Sequence, residues 1–181
     1  IINDEVIKGA TSNPAIFEAS ITGSVAYKQQ LDMLQANDQK KIYEELAFKD
    51  IRRAAELLEP LYKIDTNNGF ISIEVDPLLC DDAAGTIEEG LRIYKNTKGV
   101  VSVFVSRFDR LMDTTLGAKG LATSKLGIVN ATKCYYEVNK LENSNIRTLF
   151  ASTGVKGNEL SPTYYIDNLI YPNSVNTAPL G

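Results

Sequence analysis

The sequence predicts an α/β protein in which helices cover a parallel sheet. Three observations predict this fold class. Short apolar segments typical of strands recur along the chain, helix-like apolar periodicity fills the stretches between them, and small polar residues follow several of the strands. Alternating strands and helices are typical of parallel sheets, whose connections return as helices. In such folds, ligands bind beyond the carboxyl ends of the strands.

Composition places the chain among ordinary globular proteins. With 181 residues, 44% apolar and 23% charged, we expect one domain over residues 1–181 with a sizeable core. The net charge of -4 gives no basic surface for nucleic acid or an anionic membrane. No apolar run approaches the roughly 20 residues that span a bilayer, and the N-terminus lacks a secretory signature, so we expect a cytoplasmic location.

The chain contains no histidine. Catalytic schemes that pair serine or cysteine with histidine are therefore excluded, as are the usual imidazole metal sites. Any chemistry must use carboxylates, lysine, hydroxyl groups and water.

The first predicted strand begins near Val6 and leads into the polar residues 9–14. Pro14 disfavours the helical region for Asn13, so this segment is expected to extend from the strand end and display hydroxyl and amide groups. Thr11 and Asn13 lie two residues apart and share one face. A hydroxyl or Asx turn before the proline is the structural alternative, and both interpretations can hold together.

The stretch from Ser24 to Tyr62 is predicted to be a helical scaffold, with Asp38 available as a cap. Its apolar residues recur at helix-like intervals: Ile42, Leu46, Ile51, Ala54, Leu58 and Leu61. A turn at residues 67–69 leads into a second strand, Phe70–Val75, and Asp82 is available to cap the next helix. The apolar residues that share one face of that helix are Ala84, Ile87, Leu91 and Tyr94.

A third strand is predicted at Val100–Val105, a helix over 126–141, a fourth strand at Ile146–Ala151, a helix after 161–162 and a short strand near Val175. The count of five strands falls short of the eight in a closed (β/α) barrel. A doubly wound open sheet would accept five strands, but no Gly-x-Gly-x-x-Gly fingerprint follows a strand. Periodicity alone leaves both architectures open.

Several segments carry a family resemblance: residues 9–14, 70–77, 100–107, 150–156, 164–170 and 176–179. Together they resemble the transaldolase family of the pentose phosphate pathway, from about Ile7 to Leu180. The resemblance implies an α/β fold of the (β/α)8 TIM-barrel type, of which about five strands are recognisable in this chain. It also implies sugar-phosphate substrates and no metal or organic cofactor, and it leaves a homo-oligomer open.

The chain departs from the family where the imine-forming lysine is expected. Transaldolases carry that lysine on a strand of the type Ile-Lys-Val-Pro, followed by a strand that ends in Asn-x-Thr, and neither occurs here. We expect a missing segment at the junction of Lys95 and Asn96. The first strand, with the catalytic aspartate, is expected upstream of Ile1, and a closing helix after Gly181.

The missing strands are either parts of the natural protein that this sequence leaves out or a true deletion. Omission is favoured, because deleting adjacent strands would open two sheet edges and expose apolar helix faces. None of the lysines present lies inside an apolar strand, where desolvation would lower its pKa for imine formation. We therefore name no Schiff-base lysine in this chain.

The resemblance assigns the catalytic chemistry to Glu74, near the end of the second strand. It implies that this carboxylate activates the water of imine formation and hydrolysis. The alternative is that Glu74 caps a helix or pairs with a lysine. By the same resemblance, Thr11 and Asn13 hydrogen-bond sugar hydroxyls or the catalytic carboxylate.

The substrate phosphate is assigned to residues that follow the later strands. Arg107 offers a planar fork for a phosphate, with Ser102 and Ser152 as neutral donors. Lys156 is the nearest further cation, where many transaldolases place an arginine closer to the serine. The alternatives are a surface ion pair of Arg107 with Asp109 or another carboxylate, and a solvated loop for Lys156.

The sequence therefore predicts a transaldolase that works through a lysine imine. Its donor is sedoheptulose 7-phosphate or fructose 6-phosphate, and its acceptor is glyceraldehyde 3-phosphate or erythrose 4-phosphate. Two alternatives stay open: a lyase resembling fructose 6-phosphate aldolase, and a non-catalytic remnant that binds sugar phosphates.

Overall fold

A computed structural model of the chain describes residues 7–34, 38–93, 98–155 and 159–178. The chain forms two compact units, Ile1–Arg92 and Ile93–Gly181. The described residues of each unit contain a parallel sheet, with two strands in the first unit and three in the second. The predicted α/β class and the parallel direction of the strands are thereby confirmed.

The described residues of the first unit form two short strands and four α-helices: β1 (Gly9–Ala10), α1 (Pro14–Gly23), α2 (Lys28–Leu34), α3 (Gln39–Ile64), β2 (Phe70–Ile71) and α4 (Ala83–Ile93). In the β1–β2 pair, Gly9 lies opposite Phe70 and Ala10 opposite Ile71. Gly69 begins this pairing by donating its N–H to the Lys8 carbonyl. It has a φ of +78°, and a Cβ there would lie 2.7 Å from a backbone nitrogen of α3, so only glycine fits.

The predicted helical scaffold is present, although not as one helix. A 3₁₀ turn at Val25–Tyr27 precedes α2, and α3 begins only after Asp38. As predicted, the Asp38 carboxylate caps α3 by accepting the Lys41 N–H at 3.0 Å. The apolar positions Leu46, Leu58 and Leu61 are buried, which confirms the face that periodicity predicted.

The second strand is shorter than predicted. Its pairing with β1 ends at Ile71, so a strand that continues to Val75 is wrong. The second strand ends there because its partner β1 ends at Ala10, after which the chain turns into α1, whose first residue is Pro14. Within the described residues, β2 then has no neighbouring strand to pair with, and Glu74 lies beyond the strand.

Charged side chains join α4 to α3. Glu89 is only 9% exposed, accepts two hydrogen bonds of 2.9 Å from Arg92 and lies 3.0 Å from the Lys40 ammonium group. Arg92 reaches back to Glu44 on α3 at 2.5 Å, and Lys40 also contacts Asp76 at 2.9 Å. The hydrogen bonds from Arg92, and next those from Lys40, lower the pKa of Glu89 to about 2 against the opposing effect of burial.

The apolar face predicted for α4 is exposed rather than buried. Ile87 is 64% exposed and Leu91 is 56% exposed, while Tyr94 lies outside the described residues. Asp82 does cap the helix as predicted, accepting the Gly85 N–H at 2.9 Å. The described part of α4 is therefore held by ion pairs rather than by its apolar residues.

In the second unit, the part that the structure describes contains three strands and three α-helices: β3 (Gly99–Phe104), α5 (Ser106–Ala118), α6 (Leu126–Asn139), β4 (Ile146–Ala151), α7 (Tyr164–Asp167) and β5 (Ser174–Asn176). The strand order is β3-β4-β5, all parallel. These strands and the helix α6 lie where the sequence predicts them.

β3 and the helix that follows it differ from the sequence prediction. The third strand was predicted to continue to Val105, but it ends at Phe104, and α5, which begins at Ser106, was not predicted. Val105 leaves the extended conformation, with φ -103° and ψ -74°, and so starts the helix. Arg107 is therefore a helical residue in the first turn of α5.

The core of the second unit lies between the sheet and α6. Val103 of β3, Val105 directly after it and Phe150 of β4 pack with Ala131 and Tyr135 from α6, and all five are at least 92% buried. Val101, which belongs to the same alternation as Val103 and Val105, is 40% exposed. No helix among the described residues is long and apolar enough to cross a membrane.

We predict that the Glu89 ion pairs make stability depend on acid pH. The pKa of Glu89 is lowered from 4.5 to about 2, so its ionised form stabilises the fold fully above about pH 4.5, and this contribution is lost as the pH falls towards 2. Glu89→Gln should lower the free energy of unfolding by about 1–2 kcal/mol at pH 7. The difference from the wild type should shrink steadily below pH 4.5.

Urea denaturation at pH 7, 4 and 2.5 measures both effects. Glu56→Gln is the matched control, because Glu56 pairs on the same helix α3 with Arg53 and both side chains are well exposed. That variant should stay within about 0.5 kcal/mol of the wild type at each pH. A difference between wild type and Glu89→Gln that does not change with pH would contradict the assignment.

Candidate active site

The predicted site residues follow strand ends in both units. In the first unit they are Thr11, Asn13 and Glu74; in the second they are Ser102, Arg107 and Ser152. Lys156 lies outside the described residues. Among the described residues, no group of three Asp, Glu, His or Cys side chains comes together as a metal site.

A pair of serines joins the two strand ends of the first unit. The Ser12 N–H donates to the Ser72 hydroxyl oxygen at 3.1 Å, and the Ser12 hydroxyl donates to the Ser72 carbonyl at 2.6 Å. Ser12 is 9% exposed. The family motif assigns no role to Ser12 or Ser72. Their hydrogen bonds join the chain between Thr11 and Asn13 to the first residue after β2.

Asn13 caps the helix that follows it. Its side-chain Oδ1 accepts the Ile16 N–H at 2.9 Å, and its backbone is extended at φ -151°, as the following Pro14 requires. The Asx alternative is therefore realised. Because Oδ1 is engaged, a ligand bound at Asn13 would meet the amide nitrogen, which can only donate. Thr11, two residues earlier, is exposed.

Glu74 is exposed and lies near the hydroxyl of Tyr43 on α3. Burial raises the pKa of the Tyr43 hydroxyl, and the negative charge of Glu74 raises it further. Within the part of the chain that the structure describes, Glu74 makes no hydrogen bond or ion pair. The structural alternatives, a helix cap or a lysine pair, are therefore not formed there.

In the second unit, Ser102 and Phe104 share the face of β3 opposite Val103 and both are exposed. The Arg107 guanidinium lies 4.7 Å from the centre of the Phe104 ring. Stacking on a ring occupies the face of the guanidinium and leaves its N–H groups, which lie in the plane, able to donate. This arrangement suits an anion that meets the edge of the arginine.

Asp109 does not form the surface ion pair with Arg107 that was the alternative to phosphate binding. It is 1% exposed, and its Oδ1 accepts the Gly127 N–H of α6 at 2.6 Å. A Cβ at Gly127 would lie 2.4 Å from the Val105 carbonyl oxygen, so only glycine allows this close packing. Burial and the neighbouring Asp109 carboxylate raise the pKa of Tyr165. Asp109 thus anchors the start of α5, the helix that carries Arg107.

Ser152 has an unusual backbone at the end of β4. Its φ is +54°, a left-handed conformation that residues with a Cβ disfavour. Its carbonyl accepts the Ser106 N–H at 2.9 Å, and its hydroxyl lies 3.1 Å from the Ser106 hydroxyl. The next residue, Thr153, is 1% exposed and donates its hydroxyl to the Thr177 carbonyl.

Comparison with known proteins identifies the family that the chain matches. Residues 1–99 and 94–181 each match the family described as Transaldolase/Fructose-6-phosphate aldolase. The transaldolase of Helicobacter pylori (strain ATCC 700392 / 26695) is 40% identical over 233 residues, which cover 99% of this chain and 73% of that protein. The transaldolase of Campylobacter jejuni subsp. jejuni serotype O:23/36 (strain 81-176) is 36% identical over 243 residues, covering 96% of this chain and 73% of that protein.

The chain belongs to the transaldolase/fructose-6-phosphate aldolase family. It is thereby an enzyme sequence of the transferase class, and the family implies a TIM barrel of which these parallel strands form part. The stretches aligned to the relatives are longer than the 181 residues of the chain, so the relatives contain segments with no counterpart here. The two family matches meet at residues 94–99, next to the predicted gap. A single barrel domain over residues 1–181 stays a prediction.

We predict that Asn13 contributes to stability separately from any contact with substrate. Asn13→Ala removes the acceptor that caps α1, and should lower the free energy of unfolding by about 0.5–2 kcal/mol in urea denaturation. Asn13→Ser keeps a side-chain oxygen for the cap and should retain most of the wild-type stability. Equal stability of Asn13→Ala and the wild type would show that the cap contributes nothing.

Proposed function

We propose that the protein is a transaldolase that works through a lysine Schiff base. It moves a dihydroxyacetone unit from sedoheptulose 7-phosphate or fructose 6-phosphate to glyceraldehyde 3-phosphate or erythrose 4-phosphate. The observation that carries the proposal is identity of 36–40% with transaldolases over nearly the whole chain. The polar groups after the strand ends supply donors, a carboxylate and a cation of the kinds that this chemistry needs.

The lysine amine belongs to a segment that this sequence does not contain. In the proposed reaction, this amine adds to the C2 carbonyl of the ketose phosphate and water leaves, which gives the imine. Cleavage of the C3–C4 bond releases an aldose phosphate and leaves the dihydroxyacetone carbons on the lysine as an enamine. The enamine then adds to the second aldose phosphate, and water hydrolyses the new imine to the product.

Glu74 is proposed to move protons to and from the water in the two imine steps. Its exposed carboxylate has no described partner to hold it in another role, and two residues before it Ser72 is hydrogen-bonded to Ser12. Thr11 and the amide nitrogen of Asn13 are proposed to donate to sugar hydroxyl groups. These roles place the polar chemistry of the first unit at the ends of β1 and β2.

The phosphate of the substrate is proposed to bind in the second unit. Arg107 supplies the charge and the planar fork, while Ser102 and Ser152 supply neutral hydroxyl donors. Lys156 is proposed as an additional point charge. The stacking of Arg107 on Phe104 supports this role, because it orders the guanidinium before the anion arrives.

The alternative within the family is an aldolase that releases dihydroxyacetone without transferring it, since the matched description covers both activities. Product formation without an aldose acceptor distinguishes the two. A cytoplasmic location, a homo-oligomer and the absence of nucleic-acid partners stay predictions.

We predict that the full-length natural protein can be trapped as an imine. Incubation with fructose 6-phosphate and borohydride should reduce the intermediate to a stable adduct on one lysine, detected by intact mass spectrometry. The mass should lie above the 19.9 kDa of this chain and should carry an addition of dihydroxyacetone size. Peptide mapping should place the adduct on a lysine in a segment that these 181 residues do not contain. An unmodified protein of 19.9 kDa would instead identify a non-catalytic remnant.

We predict that Arg107→Ala weakens the phosphate contact. The apparent KM for fructose 6-phosphate should rise by about ten- to hundredfold, the equivalent of losing hydrogen bonds to a charged group. The KM for fructose, an unphosphorylated ketose with the same C3–C4 bond, should change little. Arg53→Ala is the control, because Arg53 is exposed on α3 and pairs only with Glu56 among its described contacts. Unchanged kinetics in Arg107→Ala would remove its phosphate role.

A further inference from the structure

Ser106 joins the end of β4 to the start of α5 through two hydrogen bonds to one residue. Its N–H donates to the Ser152 carbonyl at 2.9 Å, and its hydroxyl lies 3.1 Å from the Ser152 hydroxyl. The first bond continues the pairing of β3 with β4, after the bond of 3.0 Å from the Val105 N–H to the Ala151 carbonyl. The second bond fixes a side chain, which strand pairing alone does not do.

The conformation of Ser152 explains why such a contact is needed. At φ +54°, a glycine would meet no steric penalty, whereas a serine does. A disfavoured backbone persists only where its surroundings hold it, and here the Ser106 contacts hold one side. The buried Thr153 holds the other side through its bond to the Thr177 carbonyl. The serine hydroxyl at position 152 is thus kept in one place at a conformational cost.

Ser106 itself is almost completely buried. It is 3% exposed, and the partners of its hydroxyl and N–H are atoms of Ser152. It is also the residue before Arg107 in the first turn of α5. One buried residue therefore couples the backbone of the proposed phosphate-binding arginine to the hydroxyl of the proposed phosphate-binding serine.

We propose that Ser106 is a positioning residue for the phosphate site: it holds the Ser152 hydroxyl in register with Arg107, so that both reach the same phosphate group. This inference rests on the proposed function, which supplies the sugar phosphate. It adds a residue that does not touch the substrate and assigns a purpose to the left-handed serine.

The test measures phosphate binding in the full-length natural protein and in Ser106→Ala. Inorganic phosphate is the probe, followed by titration calorimetry and as a competitive inhibitor against fructose 6-phosphate. Loss of one neutral hydrogen bond should weaken phosphate binding by about three- to tenfold. The KM for fructose 6-phosphate should rise by the same factor, while kcat and the KM for unphosphorylated fructose stay near the wild-type values. Unchanged phosphate binding in Ser106→Ala would overturn the proposal.

Two further variants separate positioning from general loss of stability. Ser152→Gly accepts the left-handed backbone but lacks the hydroxyl, so adding Ser106→Ala to it should weaken phosphate binding no further. Additive effects would overturn the proposal. Thr132→Val is the matched control: it removes another partly buried hydroxyl pair of the same unit, the 3.1 Å contact with Tyr171, and should leave phosphate binding unchanged.

These measurements distinguish failure of the positioning role of Ser106 from failure of the proposed function. If no imine is trapped but the wild type binds phosphate and Ser106→Ala binds it more weakly, the positioning role stands and the transaldolase assignment falls. If an imine is trapped but the wild type binds no inorganic phosphate, the positioning role falls and the enzyme assignment stands.

Discussion

The parallel ladder between β3 and β4 is the interaction on which the second unit depends. It brings the ends of the two strands to the same level, and its hydrogen bonds continue beyond the strands through Val105 and Ser106. The helix α5 therefore starts at a position set by β4. Asp109 then ties α5 to α6, and α6 packs against Val103 of β3 and against Val105. Each element is placed by hydrogen bonds to the strand end, and the apolar core stabilises the result.

The first unit uses a different balance of forces. Its β1–β2 pair is only two residues long on each side, too short to hold helices in place by itself. Buried leucines of α3 supply apolar packing, but α4 is attached by Glu89, Arg92 and Lys40, while the apolar side chains on its predicted face are exposed.

Much of the fold could be predicted because the relevant signals are local. Alternation of valines in β3, the periodicity of α6 and the cap at Asp38 each act within a few residues. The predicted strand ends were wrong where a neighbouring element determines where the strand stops. The second strand ends at Ile71 because β1 turns into α1, and β3 ends at Phe104 because Val105 already starts a helix. Neither strand end could be predicted from the residues of the strand itself.

The same distinction applies to the site. The side chains that face outward, such as Arg107 and Ser102, could be named from the family motif alone. The groups that hold them could not, because Ser12–Ser72 and Ser106–Ser152 are contacts between residues far apart in sequence. In each pair, the first residue after one strand, Ser72 or Ser152, contacts the second residue after the neighbouring parallel strand, Ser12 or Ser106. In a parallel sheet these positions lie side by side, so small hydroxyl residues there can lock one strand end to the next. Precision at the site then comes from serines that need not touch the substrate.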